Sequence, residues 1–158
     1  MPHDRRWHEL FVAEAVSIRL VAGEYIEDVV HFGSTSIPGA IAKPIIDMAG
    51  VVPELELPPV PLESLRRLGY GLDWVHILPD RICLTKGAPV THHLYLVPHD
   101  SPTLKAWLQF RDVLRNSSAL LTEYERLKSE LAVFHPHNRM AYTEGKTAFI
   151  RRILEGEK

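Results

Sequence analysis

The sequence predicts an α+β domain in which helices flank a mixed β-sheet and the C-terminal third is helical. Three observations carry this prediction. Apolar residues recur at helical spacing near the N-terminus. Between Tyr25 and Val97 the apolar segments are short, rich in β-branched residues and punctuated by Gly and Pro. From Ser101 onward the period is helical again. At 158 residues, a single domain over 1–158 is expected, long enough to bury about two-thirds of the surface its unfolded chain exposes.

Each element has its own warrant. Between Asp4 and Ala22, residues Leu10, Phe11, Val12, Ala15, Val16, Ile18 and Leu20 fall at helical spacing among charged residues, and Gly23 supplies a stop. "YIEDVVHFG" reads as a strand, residues 34–44 as a loop, and "PIIDMAGVV" as a second strand apolar enough to be central in a sheet. The Pro-dense "PELELPPVP" is a surface connection, and "LESLRRLG" a short helix ended by Gly69. Strands follow over Gly71–Ile77, Arg81–Lys86 and Val90–Val97, with "KGAPV" turning the last two into a hairpin. Ser101 followed by Pro102 is an N-cap with proline at the first helical position. Ser117 or Ser118 starts a second C-terminal helix, with Leu120, Tyr124, Leu127 and Leu131 on one stripe. Pro136 punctuates it, and a last helix runs from about Asn138 to Leu154.

Composition narrows the function classes. No apolar run approaches the ~20 residues that span a bilayer, and "MPHDRRWHELF" lacks a signal-peptide core. The single cysteine, Cys83, cannot form an internal disulfide, which fits a reducing, cytoplasmic setting. A net charge of −2 gives no general pull toward nucleic acid or anionic lipid, so neither is expected as a partner.

The chemistry-bearing stretch is "HFGSTSIPGAIAKPIIDMAGVV", residues 31–52. The short side chains of Gly33, Ser34, Thr35 and Ser36 let backbone N–H groups and hydroxyls approach an anion, and Lys43 can add positive charge to the same oxygens. Asp47 is a lone carboxylate among Ile45, Ile46 and Met48, and burying it without a partner is costly. It could cap a neighbouring loop, pair with an arginine, or face a cleft as a ligand for Mg²⁺, which is usually held by one or two carboxylates together with substrate phosphates. Gly-Ser, twelve residues, then Asp resembles the signature of the nucleotidyltransferase fold, in which that acid is one of an alternating pair; the partner position here is Ala49. In "HHLYL", His93 and Tyr95 share one strand face and His92 the other.

"HFGSTSIPGAIAKPIIDM", "KGAPVTHHLYLV", "FRDVLR" and "AYTEGKTAFIRRIL" occur in the order and approximate spacing of the GrpB family, also called UPF0157, and the resemblance covers roughly residues 5–155. It implies a nucleotidyltransferase-like fold. The family generally lacks the second acid too, which bears on standard two-metal transfer. Tyr95 departs from the commoner "HHLHV" pattern. Some members are fused to dephospho-CoA kinase, so the resemblance implies a CoA-pathway kinase as an associated partner. The expected function is a Mg²⁺-assisted enzyme acting on a nucleotide or another phosphate-bearing small molecule. Asp47 and His93 would serve catalysis and the metal. Gly33, Ser34, Thr35, Ser36, Lys43, Arg81, Lys86, Tyr95, Tyr142 and Lys146 would contact the ligand. Tyr142 and Lys146 enter because they match the terminal motif of the family and share a helical stripe with Arg139 and Phe149. The alternative is a non-catalytic module whose degenerate cleft binds a nucleotide or a CoA-type ligand.

Overall fold

A computed structural model describes residues 2–55 and 59–156, and the chain clusters into two compact units, residues 1–105 and 106–158. The first unit opens with α1 (Arg6–Ala22), followed by β1 (Asp28–Phe32), a 3₁₀ turn (Ser34–Ser36), β2 (Ile46–Val52), α2 (Pro59–Arg67), β3 (Tyr70–Leu78), β4 (Arg81–Lys86) and β5 (His92–Pro98). Helix α3 (Pro102–Arg115) begins in this unit, and the second unit holds its remainder with α4 (Ser118–Phe134) and α5 (Arg139–Leu154). Residues 56–58 of the Pro-dense connection lie outside the described residues.

The five strands form one mixed sheet in the order β1-β2-β5-β4-β3. Strands β1 and β2 pair antiparallel, β2 and β5 parallel, and β5, β4 and β3 antiparallel in succession. The two segments around the loop are therefore neighbours, as the fold prediction requires, and β2 is interior to the sheet.

Alternation along the strands divides the sheet into two faces. One face carries Ile46, Met48, Leu94, Leu96, Ile82 and Leu84, which pack with Trp7, Ala15, Ile18 and Ala22 of α1 and Leu65 of α2 into a continuous core. Ile46, Met48, Leu94 and Leu96 are all at most 1% exposed. With Ile46 and Met48 committed to that core, Asp47 and Ala49 must project from the other face, where Phe32, His93 and Tyr95 stand in register with them.

The helix caps follow the sequence. Ser101 Oγ accepts the Leu104 N–H at 3.1 Å, Ser117 accepts from Leu120 N, and Asn138 accepts from Ala141 N. In the second unit, Phe110, Tyr124 and Phe149 form an aromatic cluster with ring centroids 5.3 to 6.3 Å apart. Helices α4 and α5 approach closely at Gly145, where an added Cβ would lie 2.4 Å from Leu131 Cδ2.

Candidate functional site

The site starts from a backbone constraint. Gly33 ends β1 with φ 75° and ψ −177°, a conformation essentially confined to glycine. A Cβ added there would lie 2.6 Å from Asp47 Oδ2, so the missing side chain is what lets backbone and carboxylate meet. After Gly33 the chain tightens into the 3₁₀ turn, with Ser36 N–H donating to the Gly33 carbonyl and Ile37 N–H to that of Ser34.

Asp47 and His93 are register partners on β2 and β5. His93 Nδ1 lies 3.1 Å from Asp47 Oδ1 and 3.3 Å from the Tyr95 hydroxyl. An ionised carboxylate only accepts, so Nδ1 carries the proton and donates to Asp47, and in the neutral ring Nε2 holds the basic lone pair. The Tyr95 ring sits edge-on to His93 at 5.9 Å and packs against Phe32 at 5.6 Å. The side chains of Asp47 and His93 are 28% and 30% exposed: sheltered, yet open to a ligand.

The expected site residues divide by location. Gly33, Ser34, Asp47, His93 and Tyr95 are brought together. Thr35 and Ser36 belong to the same turn, but both are buried. The Thr35 hydroxyl donates to the Ile45 carbonyl and therefore accepts from His31 Nε2–H at 2.9 Å; the Ser36 hydroxyl donates back to the Gly33 carbonyl. These hydroxyls hold the turn against its strands instead of projecting from it. Lys43 is exposed on the connection between the turn and β2.

Arg81 shares the parity of Thr85, the β4 partner of His93, but stands four residues away, about 13 Å along the strand, with its guanidinium on Asp80 at 3.0 Å. Lys86 lies on the other face, in register with His92. Its ammonium bonds both Glu14 carboxylate oxygens at 2.9 and 3.1 Å, alongside the Tyr70 hydroxyl and His92. Burial and the Glu14 charge push the Tyr70 phenol well above its ordinary range, so it remains a donor to that carboxylate. Tyr142 and Lys146 stand on α5 of the second unit, with the ammonium 4.9 Å from the Tyr142 ring centroid.

Two participants escaped the sequence reading. Phe32, opposite Asp47, was legible from strand alternation; His31, which anchors Thr35 and stacks on Phe11 at 4.8 Å, depends on a helix contact that no local pattern signals. Among the described residues, no three His, Cys, Asp or Glu side chains converge as a closed metal cage, and no helix is long and apolar enough to cross a membrane.

A family model described as GrpB protein matches residues 1–156. The chain is 33% identical to the glutamate-rich protein GrpB of Alkalihalophilus pseudofirmus, covering 96% of this chain and 91% of that protein. It is 34% identical to the UPF0157 protein YqkA of Bacillus subtilis and 35% identical to the UPF0157 protein PA4798 of Pseudomonas aeruginosa, covering 99% and 98% of this chain but only 46% and 65% of those proteins. The crystal structure of the conserved protein GrpB from Enterococcus faecalis superposes with a TM-score of 0.84 at 34% identity, covering 99% of this chain and 94% of that one. A structure of the Cid1 poly(U) polymerase, described as Mg 3′-dATP bound, superposes with a TM-score of 0.57 at 12% identity over 91% of this chain and 49% of that one, a likeness of fold alone. The fold is nucleotidyltransferase-like, and the chain belongs to the GrpB family.

Proposed function

We propose that the Asp47 face binds a nucleotide or another phosphate-bearing small molecule together with Mg²⁺, and that His93 acts there as a general base. The observation that carries this reading is the convergence of a side-chain-free Gly33, an open carboxylate and an oriented imidazole on one sheet face. Gly33 leaves room for the Asp47 carboxylate, Ser34 follows it on the turn with a short hydroxyl side chain, and exposed Lys43 can supply positive charge to a phosphate. Asp47 uses Oδ1 on His93, which leaves Oδ2 beside Gly33 as an anionic oxygen for a metal. That donor set fits Mg²⁺ completed by ligand phosphate and water. When bound, the ion would neutralise phosphate charge and polarise the phosphoryl group.

The protein's own part is proton transfer and orientation. Asp47 fixes the His93 tautomer, so that Nε2 can take the proton of an attacking hydroxyl. The hydroxyl oxygen then bonds to phosphorus while the bond to the phosphate leaving group breaks, and the leaving group keeps the electron pair. The Mg²⁺ and nucleotide named for the Cid1 structures enter as ligand class only.

One observation favours the second reading, a binding module without turnover. Ala49, in register with Tyr95, occupies the place of a second carboxylate. A thermal-shift screen of nucleotides and CoA precursors, with and without Mg²⁺, separates the two. Mg²⁺-dependent stabilisation with turnover supports the enzyme, and stabilisation without turnover supports the module. In either case Ser34→Leu should block the phosphate, and Asp47→Asn should abolish the Mg²⁺-dependent part of the shift. A parent protein that no screened compound stabilises, or an Asp47→Asn variant that keeps the full shift, overturns the reading.

A further inference from the structure

His31 is 5% exposed and Thr35 3%, so a polar pair is buried at the turn. The His31 ring stacks on Phe11 of α1, with centroids 4.8 Å apart and planes 14° from parallel. A phenylalanine would stack as well without burying two ring nitrogens, so packing alone does not account for an imidazole here. Its Nε2–H donates to the Thr35 hydroxyl at 2.9 Å, and that hydroxyl donates to the Ile45 carbonyl at 3.2 Å. The relay ties the end of β1 to the turn, and the turn to the chain entering β2. It also brackets the candidate site. Gly33 lies two residues before Thr35, and Asp47 two residues after Ile45, so both partners of the Gly33–Asp47 contact hang from the relay by short tethers.

We propose that His31 is a positioning residue for the ligand site: its Nε2–H, acting through the Thr35 hydroxyl, sets where the turn stands relative to the Asp47 carboxylate. This inference rests on the reading of that face as a phosphate-ligand site. The Thr35 hydroxyl has one proton, which it spends on Ile45, so a donor on the strand side is needed to hold the oxygen from behind. Without that donor a buried acceptor is left unsatisfied, and the turn can satisfy it only by shifting. A shift there moves Gly33 and Ser34 away from Oδ2 while β2, paired on both edges, keeps Asp47 in place. His31 never meets the ligand in this account; it acts on affinity through the shape of the turn.

Calorimetric titration of the full chain with ADP and Mg²⁺ tests this, at a temperature well below the melt of every variant. ADP is the moiety that adenine nucleotides share with a CoA-type ligand. His31→Phe keeps the stack on Phe11 and removes the donor, whereas His31→Gln keeps an N–H donor and removes the stack. His31→Phe should weaken ADP binding by about tenfold, and His31→Gln should stay within about threefold of the parent. Thr35→Val should match His31→Phe, and the double variant should bind no more weakly than either single one, because both break the same relay. A purely structural histidine would show the reverse order, with loss of the stack the worse change. His31→Phe binding as tightly as a binding parent overturns the inference alone, as do equal losses for Phe and Gln or losses that multiply in the double variant. A parent that binds no ADP with Mg²⁺ overturns the ligand-site reading and this inference with it.

Discussion

At the scale of single residues, Gly33 and Asp47 constrain each other. An L-residue at φ 75° and ψ −177° stores about 1–3 kcal/mol of backbone strain, and a Cβ 2.6 Å from Oδ2 adds a clash. Gly33→Ala should therefore destabilise the fold by at least about 2 kcal/mol in chemical denaturation. In an Asp47→Ala background the cost should shrink toward the strain alone; an unchanged cost would mean that the carboxylate does not press on Gly33. The orientation of Asp47 was legible in advance, because Ile46 and Met48 claim the core and alternation leaves the acid outside. The partner of Lys86 was not, since Glu14 lies 72 residues away and no local pattern encodes that contact.

The same polar cluster makes a pH prediction. His92 has only 12% of its side chain exposed. Burial is the largest influence on it; Glu14 opposes that effect and Lys86 adds to it, and together they hold the imidazole below its ordinary 6.5, with Tyr70 completing the surroundings of the carboxylate. The folded protein thus binds fewer protons than the unfolded chain in the window just below 6.5. The stability contributed by neutral His92 is present above that pH and is lost as the pH falls through the depressed folded value. Melting temperature should drop on acidification through this window, and His92→Gln should flatten the drop. Equal pH slopes for parent and variant would contradict the assignment.

At the scale of elements, the sequence located helices and strands well and misjudged their starts for physical reasons. Pairing in β1 begins at Asp28 instead of Tyr25, because the N–H groups of Tyr25 and Ile26 still bond back to the Ala22 carbonyl at the end of α1. Helix α2 begins at Pro59, earlier than the expected Leu62, since proline is tolerated in a first turn that needs no N–H donor. The start of α3 was read correctly because its signal is local: Ser101 is 6% exposed and its hydroxyl caps Leu104 N–H. Ser101→Ala should cost about 1 kcal/mol, seen as a fall in Tm of about 2–4 °C, while Ser101→Asp should retain most of the stability. A Ser101→Ala variant that melts with the parent would show the cap to be redundant.

At the scale of the whole molecule, the α+β class and the pairing of β1 with β2 were legible, whereas the insertion of β2 between β1 and β5 was not. A parallel partner 46 residues away is chosen by tertiary packing, and a hydrophobic run reports only that a strand is interior. The division into compact units after Lys105 falls inside α3, where the helical period runs on without a linker signal. The candidate site follows from the topology: parallel pairing of β2 with β5 sets Asp47 beside His93, and antiparallel pairing with β1 delivers Gly33 to the same carboxylate. The central claim is that these three residues form one phosphate-ligand site. An NMR titration of the isotope-labelled chain with the best-stabilising nucleotide and Mg²⁺ tests it most directly. The account predicts saturable shifts concentrated at Gly33, Ser34, Asp47, His93 and Tyr95 that vanish in Asp47→Asn; saturable shifts that leave those five residues unmoved would contradict it.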